Sequence, residues 1–592
     1  MKKKSLLYFL TVIFIISFLV LFTAMLFTNH NSSKAKEKKN TSISGININE
    51  LSEQQITSLY KLCKVWGMTK YYHPTVVKGK IDWDKELFKI IPKVLIAKNQ
   101  NETNNTIYEW INSFPFKTTP YSKEALKWEE RQNTYGGISL DMSWIKDKNE
   151  LGSDLSSYLQ KLSSTRISER KNSYAYFDTD IVNFKNEKDY TYSPEDDGLK
   201  LLSLFRFWNI YEYYSPYVDQ TNINWDNVLL KSIPKIISSK DYTDYVLNIA
   251  NIISETKDAH IRIFDKNDSI VGYYGQYLLP ICYKVIDGQV VVSSTTNTLK
   301  KQGLKIGDII TEINNTTIEE RIQTLSKYCV LPDDNKFEYA LSLRLLRSKS
   351  PTATVIVIRD NKEFTLQLSD NDFTKWPNTT IYDNNIIENT NIGYIDFGKL
   401  TEGEIEKLLN KYINTDGIIL DLRQYPTIGG TLDLIAEYLL PEMKVGYKLG
   451  CCNQSMPGTY FNASMIKGAG YLNLLGDTTK YPLYTGKVII LMDGYSISQC
   501  ETMIMALRQS ANVTVIGSNS CGANGFMVNF ILPGSIEVDG ISSTFILTPE
   551  GEMIQRKGIK PDIECHPTVK GLQEGRDELI EEAIKNIQSN NK

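Results

Sequence analysis

The chain has 592 residues, with 66 Lys plus Arg against 69 Asp plus Glu, a net charge of −3, and 42% hydrophobic residues. That length is more than one core organises, and at about 150 residues per domain it implies about four. The balanced charge leaves no extended basic face and argues against nucleic acid as a partner, while the apolar content argues against wholesale disorder.

At the N-terminus Lys2, Lys3 and Lys4 precede an uncharged run from Ser5 to Phe27. As a helix this run spans about 34 Å, enough to cross a hydrocarbon layer of about 30 Å. A cleaved signal usually has a shorter apolar stretch and a small-x-small site, and no such site is clear here. Residues 1–30 are therefore expected to be a signal anchor, with a cleaved signal as the alternative. The three lysines favour a cytoplasmic N-terminus, leaving the bulk of the chain outside the cell membrane, although the Lys-rich segment at 34–39 weakens that asymmetry. Residues 31–50 are polar and read as a tether.

An internal repeat follows. Residues 60–95 and 202–237 align without gaps, pairing Trp66 with Trp208, Tyr71 with Tyr213, Pro74 with Pro216, Trp83 with Trp225 and Pro92 with Pro234. Each unit predicts an aromatic-rich helix, a proline turn and a second helix opening at Asp84 or Asp226. The aromatic residues read as core packing. The two helical modules are expected at 51–170 and 190–268, the second carrying His260.

Residues 269–372 change to short β-rich runs around Gly303-Leu304-Lys305-Ile306-Gly307-Asp308-Ile309-Ile310, a fragment that resembles the turn and strand of PDZ-like domains, which capture peptides by adding a strand to a sheet edge. From 380 to 590 strands (391–397, 417–422, 487–492, 512–517) alternate with helices (401–413, 432–440, 499–508), the signature of a largely parallel α/β sheet. In such sheets the working site lies beyond the carboxyl ends of the strands. There the loop 493–499 sets Ser496 and Ser498 before a helix whose free N–H groups favour developing negative charge. A hydroxyl at that point is either a simple cap or a nucleophile, with the Gln499 N–H and an N–H near Gly429 and Gly430 as oxyanion donors. The eight cysteines show no CxxC spacing and read mostly as buried thiols. Cys500 and Cys521, which flank the serine, carry a weaker alternative of redox control. The four histidines have no metal-ligand spacing, so neither metal nor cofactor is expected.

The segment Ser496-Ile497-Ser498-Gln499-Cys500-Glu501 is similar to the nucleophile motif of the C-terminal-processing (tail-specific) serine peptidases and their tricorn-core relatives, where the serine stands three residues before an acidic residue. Further matches occur in order: Thr256-Lys257-Asp258-Ala259-His260, Asp421-Leu422-Arg423 with Gly429-Gly430, Gly517 through Gly525, and Gly558-Ile559-Lys560-Pro561-Asp562-Ile563. The resemblance implies a multidomain α+β chain with a ClpP/crotonase-like peptidase core, Ser498 as nucleophile and a peptide or protein substrate. Members with a Ser–Lys dyad carry lysine where this chain has Ala523. The resemblance therefore points to the branch that uses histidine, with His260 as base. Where relatives place a catalytic Glu this chain has Gln555, leaving Glu550, Glu552 and Asp258 as substitutes, and Asn524 stands where an Asp is expected. These lost carboxylates keep two alternatives open: a silent peptide-binding surface protein, and an acyl-transferring or esterase relative.

Overall fold

The computed structural model describes residues 44–117, 137–167, 170–178, 181–220, 223–332, 337–370, 377, 382–442, 444–462, 474–475 and 481–589. The apolar run expected to anchor the chain lies outside the described residues. Among those described, no helix is long and apolar enough to cross a membrane.

The N-terminal half is built on helices α1 (Glu53–Tyr72), α2 (Trp83–Leu95), α3 (Asp197–Tyr214), α4 (Trp225–Ile237) and α5 (Tyr242–Ser254). The Trp66 indole N–H donates to the Trp83 carbonyl and the Trp83 indole to the Trp66 carbonyl. Trp208 and Trp225 form the same reciprocal pair. Seventeen residues separate the partners in each case, so each helix pair is locked by its own indoles, which are buried without losing their hydrogen bonds. Helices α2 and α4 open at their tryptophans rather than at the following aspartates. The preceding Asp82 and Asn224 supply the caps, accepting from Lys85 N and Asn227 N. Four charged side chains are fully buried between the helices: Lys70 with Glu187 at 2.6 Å, Arg206 with Glu187 at 3.0 Å, and Arg206 with Asp84 at 2.9 Å. Mutual pairing offsets the desolvation that an isolated charge would suffer there.

After α5 the chain enters strand β1 (Arg262–Asp265) and then an antiparallel sheet of β2 (Ile281–Ile286), β3 (Gln289–Thr295), β4 (Ile309–Ile313), β5 (Ala353–Arg359) and β6 (Lys362–Leu368), with a two-residue strand on β4. The core that follows holds β7 (Ile392–Asp396), α6 (Glu404–Tyr412), β8 (Gly417–Asp421), α7 (Thr431–Leu439), the hairpin β9 (Lys448–Cys452) and β10 (Thr459–Asn462), β11 (Lys487–Met492), α8 (Gln499–Leu507), β12 (Val513–Gly517), β13 (Met527–Leu532), β14 (Ile536–Ser542), β15 (Phe545–Leu547), β16 (Ile563–Glu564) and α9 (Glu578–Ser589).

Strands β7-β8-β11-β12-β16 form one wholly parallel sheet. Its central strands are buried on both faces, which is why they read as continuous apolar runs rather than alternating ones. Ile418, Leu420, Val488 and Ile490 pack toward α6, α7 and α8, and the intervening Ile419, Ile489 and Leu491 pack toward Leu579, Ala583 and Ile587 of α9. A second sheet sets the site: β14 lies between β13 and β1, with Arg262 opposite Asp539. This pairing carries the segment after α5 across to the peptide strands made nearly 280 residues later.

Candidate active site

Ser496 and Ser498 lie at the C-terminal end of β11 but have different surroundings. Ser496 is fully buried and its hydroxyl donates to the Leu422 carbonyl at 2.8 Å, tying the loop to the end of β8. Ser498 lines a small cavity together with His260, Arg262, Tyr339, Tyr425, Ile497, Met527 and Asp539. Its backbone has φ 57° and ψ −109° at the start of α8, a conformation that L-residues rarely adopt and that costs about 1–3 kcal/mol. The surroundings hold it there: Ser498 N–H donates to the Ala523 carbonyl at 3.0 Å and to Glu501 Oε2 at 3.2 Å.

Glu501 is a buried clamp. Besides Ser498 N–H it accepts from Ser520 Oγ at 2.6 Å, Gly522 N at 2.7 Å and Ala523 N at 3.2 Å. The glycine loop is thereby fastened to the first turn of α8. Gly522 has φ 83°, and a Cβ there would meet Gly558 N at 2.7 Å, so the loop and the Gly558 segment fit together only as backbone against backbone. Burial raises the Glu501 carboxyl to about 7, against the pull of its four donors. A carboxyl whose pKa is raised by folding stabilises the fold while protonated, and that contribution is lost as pH rises from about 4.5 through 7. Urea unfolding is therefore expected to show stability falling by about 3 kcal/mol between pH 5 and pH 8, with a flatter profile in Glu501→Gln. An equal slope in the variant would locate the titration elsewhere.

His260 sits in the turn that leads into β1. Its Nδ1 is 3.2 Å from Ser542 Oγ on β14 and 3.7 Å from Asp258 Oδ1, while Nε2 is buried with no hydrogen-bond partner. Burial, more than any neighbouring charge, holds its pKa below the usual imidazole range. Asp258 pulls the other way, and Arg262 adds to the lowering. Asp258 is fully buried and accepts from His260 N, Ser542 N and Gln555 Nε2 at 3.2, 3.1 and 3.1 Å. Gln555 thus faces Asp258, and its carbonyl oxygen accepts from Asn524 N at 3.1 Å. Glu550 and Glu552 are exposed in the turn after β15. Of the four residues that the sequence offers beside the histidine, Asp258 is the carboxylate at its ring.

The loop from 423 to 430 presents Tyr425 to the cavity. Its phenol lies close enough to the Ser498 side chain and the Gln499 backbone N–H to be influenced by both, and burial, with Cys500 nearby, keeps its pKa above the ordinary phenol range. Thr427 bonds back to the carbonyls of Phe397 and Leu400. Gly430, with φ 72°, caps α7, and neither Gly429 nor Gly430 lines the cavity. Ala523 is buried, and His260 stands in the cavity wall. Cys500 and Cys521 are buried and in no disulfide. Five lining residues are absent from the sequence reading: Arg262, two residues after the histidine, and Tyr339, Tyr425, Met527 and Asp539, which reach the cavity through tertiary contacts, as Ser542 reaches the histidine ring.

The nucleophile loop is also tied to the antiparallel sheet. Lys284 of β2 pairs with Asp493 at 2.7 Å and with Glu338 at 3.4 Å, and lies 4.6 Å above the Tyr495 ring. No group of three or more His, Cys, Asp or Glu that could hold a metal ion occurs among the described residues.

Residues 391–565 match the model of Peptidase family S41. A Chlamydia pneumoniae protein, CPj1016/CpB1054, is 30% identical over 106 residues, covering 18% of this chain and 17% of that protein. The chain thus matches about a sixth of the length of this curated relative. Among solved structures, mature CPAF complexed with lactacystin superposes with a TM-score of 0.51 at 12% identity, over 66% of this chain and 99% of that one. At that identity the likeness is one of fold. The photosystem II D1 C-terminal processing protease aligns over 63% of this chain and 96% of its own, at 12% identity and a TM-score of 0.36.

Proposed function

We propose that the chain is a C-terminal-processing-type serine endopeptidase with Ser498 as nucleophile and His260 as general base, a reading supported by the match of residues 391–565 to the model of Peptidase family S41. The observation that supports this most directly is that Ser498, held at positive φ on a helix start, and the unpartnered Nε2 of His260 share one cavity. A base with a free nitrogen beside a hydroxyl on a strained turn suits acyl transfer, since the imidazole takes the proton as the hydroxyl attacks and returns it to the leaving amine. Asp258, steadied by Gln555, would orient the ring and stabilise its cationic form. The Gln499 N–H would receive the oxyanion at the end of α8, where the helix dipole assists.

In this reading the structure is a resting state. Tyr425, which shares the cavity with Ser498 and acts near the Gln499 N–H, would stand where the substrate carbonyl must arrive, so an arriving carbonyl would displace it before Ser498 turns to His260. The 281–368 sheet, read as PDZ-like, and the paired helical modules would deliver an extended peptide to the cleft. The apolar run at residues 5–27 would tether the whole on the outer side of the cell membrane. A Ser498 that shares its cavity with Tyr425 also fits a silent peptide-binding protein, and a fluorophosphonate probe separates the two. Peptidase chemistry is expected to give labelling that vanishes in Ser498→Ala, falls in His260→Ala and quickens in Tyr425→Phe. A wild type that labels no better than Ser498→Ala would leave the binding role.

A further inference from the structure

Asp258 is the carboxylate nearest the His260 ring, yet it is not the group that bonds to it. Asp258 Oδ1 stands 3.7 Å from Nδ1, beyond hydrogen-bond reach, whereas Ser542 Oγ stands 3.2 Å from the same nitrogen and is the ring's one hydrogen-bond partner among the described residues. The oxygens of Asp258 are already engaged: Oδ1 accepts from His260 N and Gln555 Nε2, and Oδ2 from Ser542 N. The carboxylate thus fastens the backbone on both sides of the contact, while the contact itself belongs to the serine. The approach is built into β14. Gly540 has φ 96°, and a Cβ there would meet the His260 carbonyl oxygen at 2.2 Å, so the strand passes the histidine only as bare backbone. Two residues on, Ser542 is fully buried, lies opposite Met527 of β13 and does not line the cavity.

A neutral imidazole carries one N–H, and its surroundings decide which nitrogen holds it. On Nε2 the proton would be a buried donor with no acceptor, which is costly. On Nδ1 it meets the Ser542 oxygen, with the negative charge of Asp258 3.7 Å away to favour it, and Nε2 keeps a bare lone pair. Arg262, which follows on β1, and Asp539, opposite it on β14, are the other charged groups of the cavity wall, and neither bonds to the ring.

We propose that Ser542 is a positioning residue for the base: its hydroxyl oxygen accepts from His260 Nδ1–H, fixes the tautomer and leaves the Nε2 lone pair for the Ser498 proton. This rests on the peptidase reading, because only a ring that takes a proton needs a fixed tautomer. During attack the Ser498 proton passes to Nε2 and then to the leaving amine, while the Nδ1 proton stays on its nitrogen throughout. Asp258 stabilises the transient cation by charge alone.

The test uses the full chain in detergent, isotope-labelled at the histidine nitrogens, with His260→Ala assigning the signal among the four histidines. Nitrogen NMR of the neutral ring is expected to show the wild-type His260 proton on Nδ1. In Ser542→Ala the signal is expected to become a mixture of both tautomers, a change that lost packing alone would not produce. Fluorophosphonate labelling of Ser498 and kcat on casein are expected to fall together by about 10–100-fold, with KM unchanged because Ser542 stands outside the cavity. Should that variant fail to fold, the wild-type spectrum decides by itself, and a proton on Nε2 overturns the proposal. Equal labelling rates in the wild type and a folded Ser542→Ala overturn it as well, with the peptidase reading intact. A wild type that labels no faster than Ser498→Ala defeats the peptidase reading itself, and the positioning role falls with it.

Discussion

Ser498→Ala is expected to cut hydrolysis of a fluorogenic casein by about 10⁴–10⁶-fold, with His260→Ala costing nearly as much and the double variant no more than either. A hydroxyl without its base attacks poorly, and a base without its hydroxyl has no proton to take, so removal of either disables one machine. Stability should hardly follow. Ser498 lines the cavity beside Tyr425, and the strained φ of 57° belongs to the backbone, which Ala523, Glu501 and the helix hold in place whatever the side chain. Initial rates at saturating substrate, beside melting curves, check both halves. Losses that multiply in the double variant would mean that the two residues act in separate steps, and the dyad would be abandoned.

Asp258→Asn is expected to lower kcat by about 10²–10⁴-fold with little change in KM, and to move the acid limb of kcat/KM to lower pH. The carboxylate accepts three donors and opposes the desolvation that lowers the His260 pKa. An amide in its place turns a donor toward donors and removes the charge that favours imidazolium. The working form of the base is neutral imidazole, present above its pKa. Wild-type activity should therefore persist below the usual imidazole midpoint, and the variant's limb should lie lower still on a much reduced plateau. Gln555→Glu is not expected to raise activity, although relatives suggest an acid there. It would bring a second carboxylate about 3 Å from Asp258, and one of the two would then stay protonated. A limb that rises in Asp258→Asn would show that Asp258 is not the histidine's acid.

Much of the core was legible because its signals are local. Continuous apolar runs such as GIILD and KVIILM mark strands with no solvent face, and the structure places them at Gly417–Asp421 and Lys487–Met492. The two tryptophans in each helical unit stand seventeen residues apart and bond to each other, so a pattern in sequence becomes a contact in space. What escaped the reading depends on distant chain. Ser542 reaches the His260 ring only because β14 runs beside β1, and nothing near residue 542 announces it. Tyr425 was passed over for the glycines that follow it. The deciding detail is Thr427, whose three bonds to the carbonyls of Phe397 and Leu400 draw the loop back beside Ser498 and leave Gly430 to open a helix. Asp258 and Gln555 both appeared as candidates, and the 3.7 Å between Asp258 Oδ1 and His260 Nδ1 sets Asp258 at the ring, with Gln555 bonded to it.

The seating of β1 against β14 has a consequence for biosynthesis. The strand that follows the histidine finds its partner only when residues 536–539 exist, and by then all but the last tenth of the chain has left the ribosome. The local helix pairs can close early, whereas this long-range pairing has to wait for its distant partner. A chain made only as far as residue 535 therefore carries Ser498 and the histidine segment without the strand that seats it, and on the proposed mechanism it is expected to stay inert toward its own nascent polypeptide until synthesis is nearly complete.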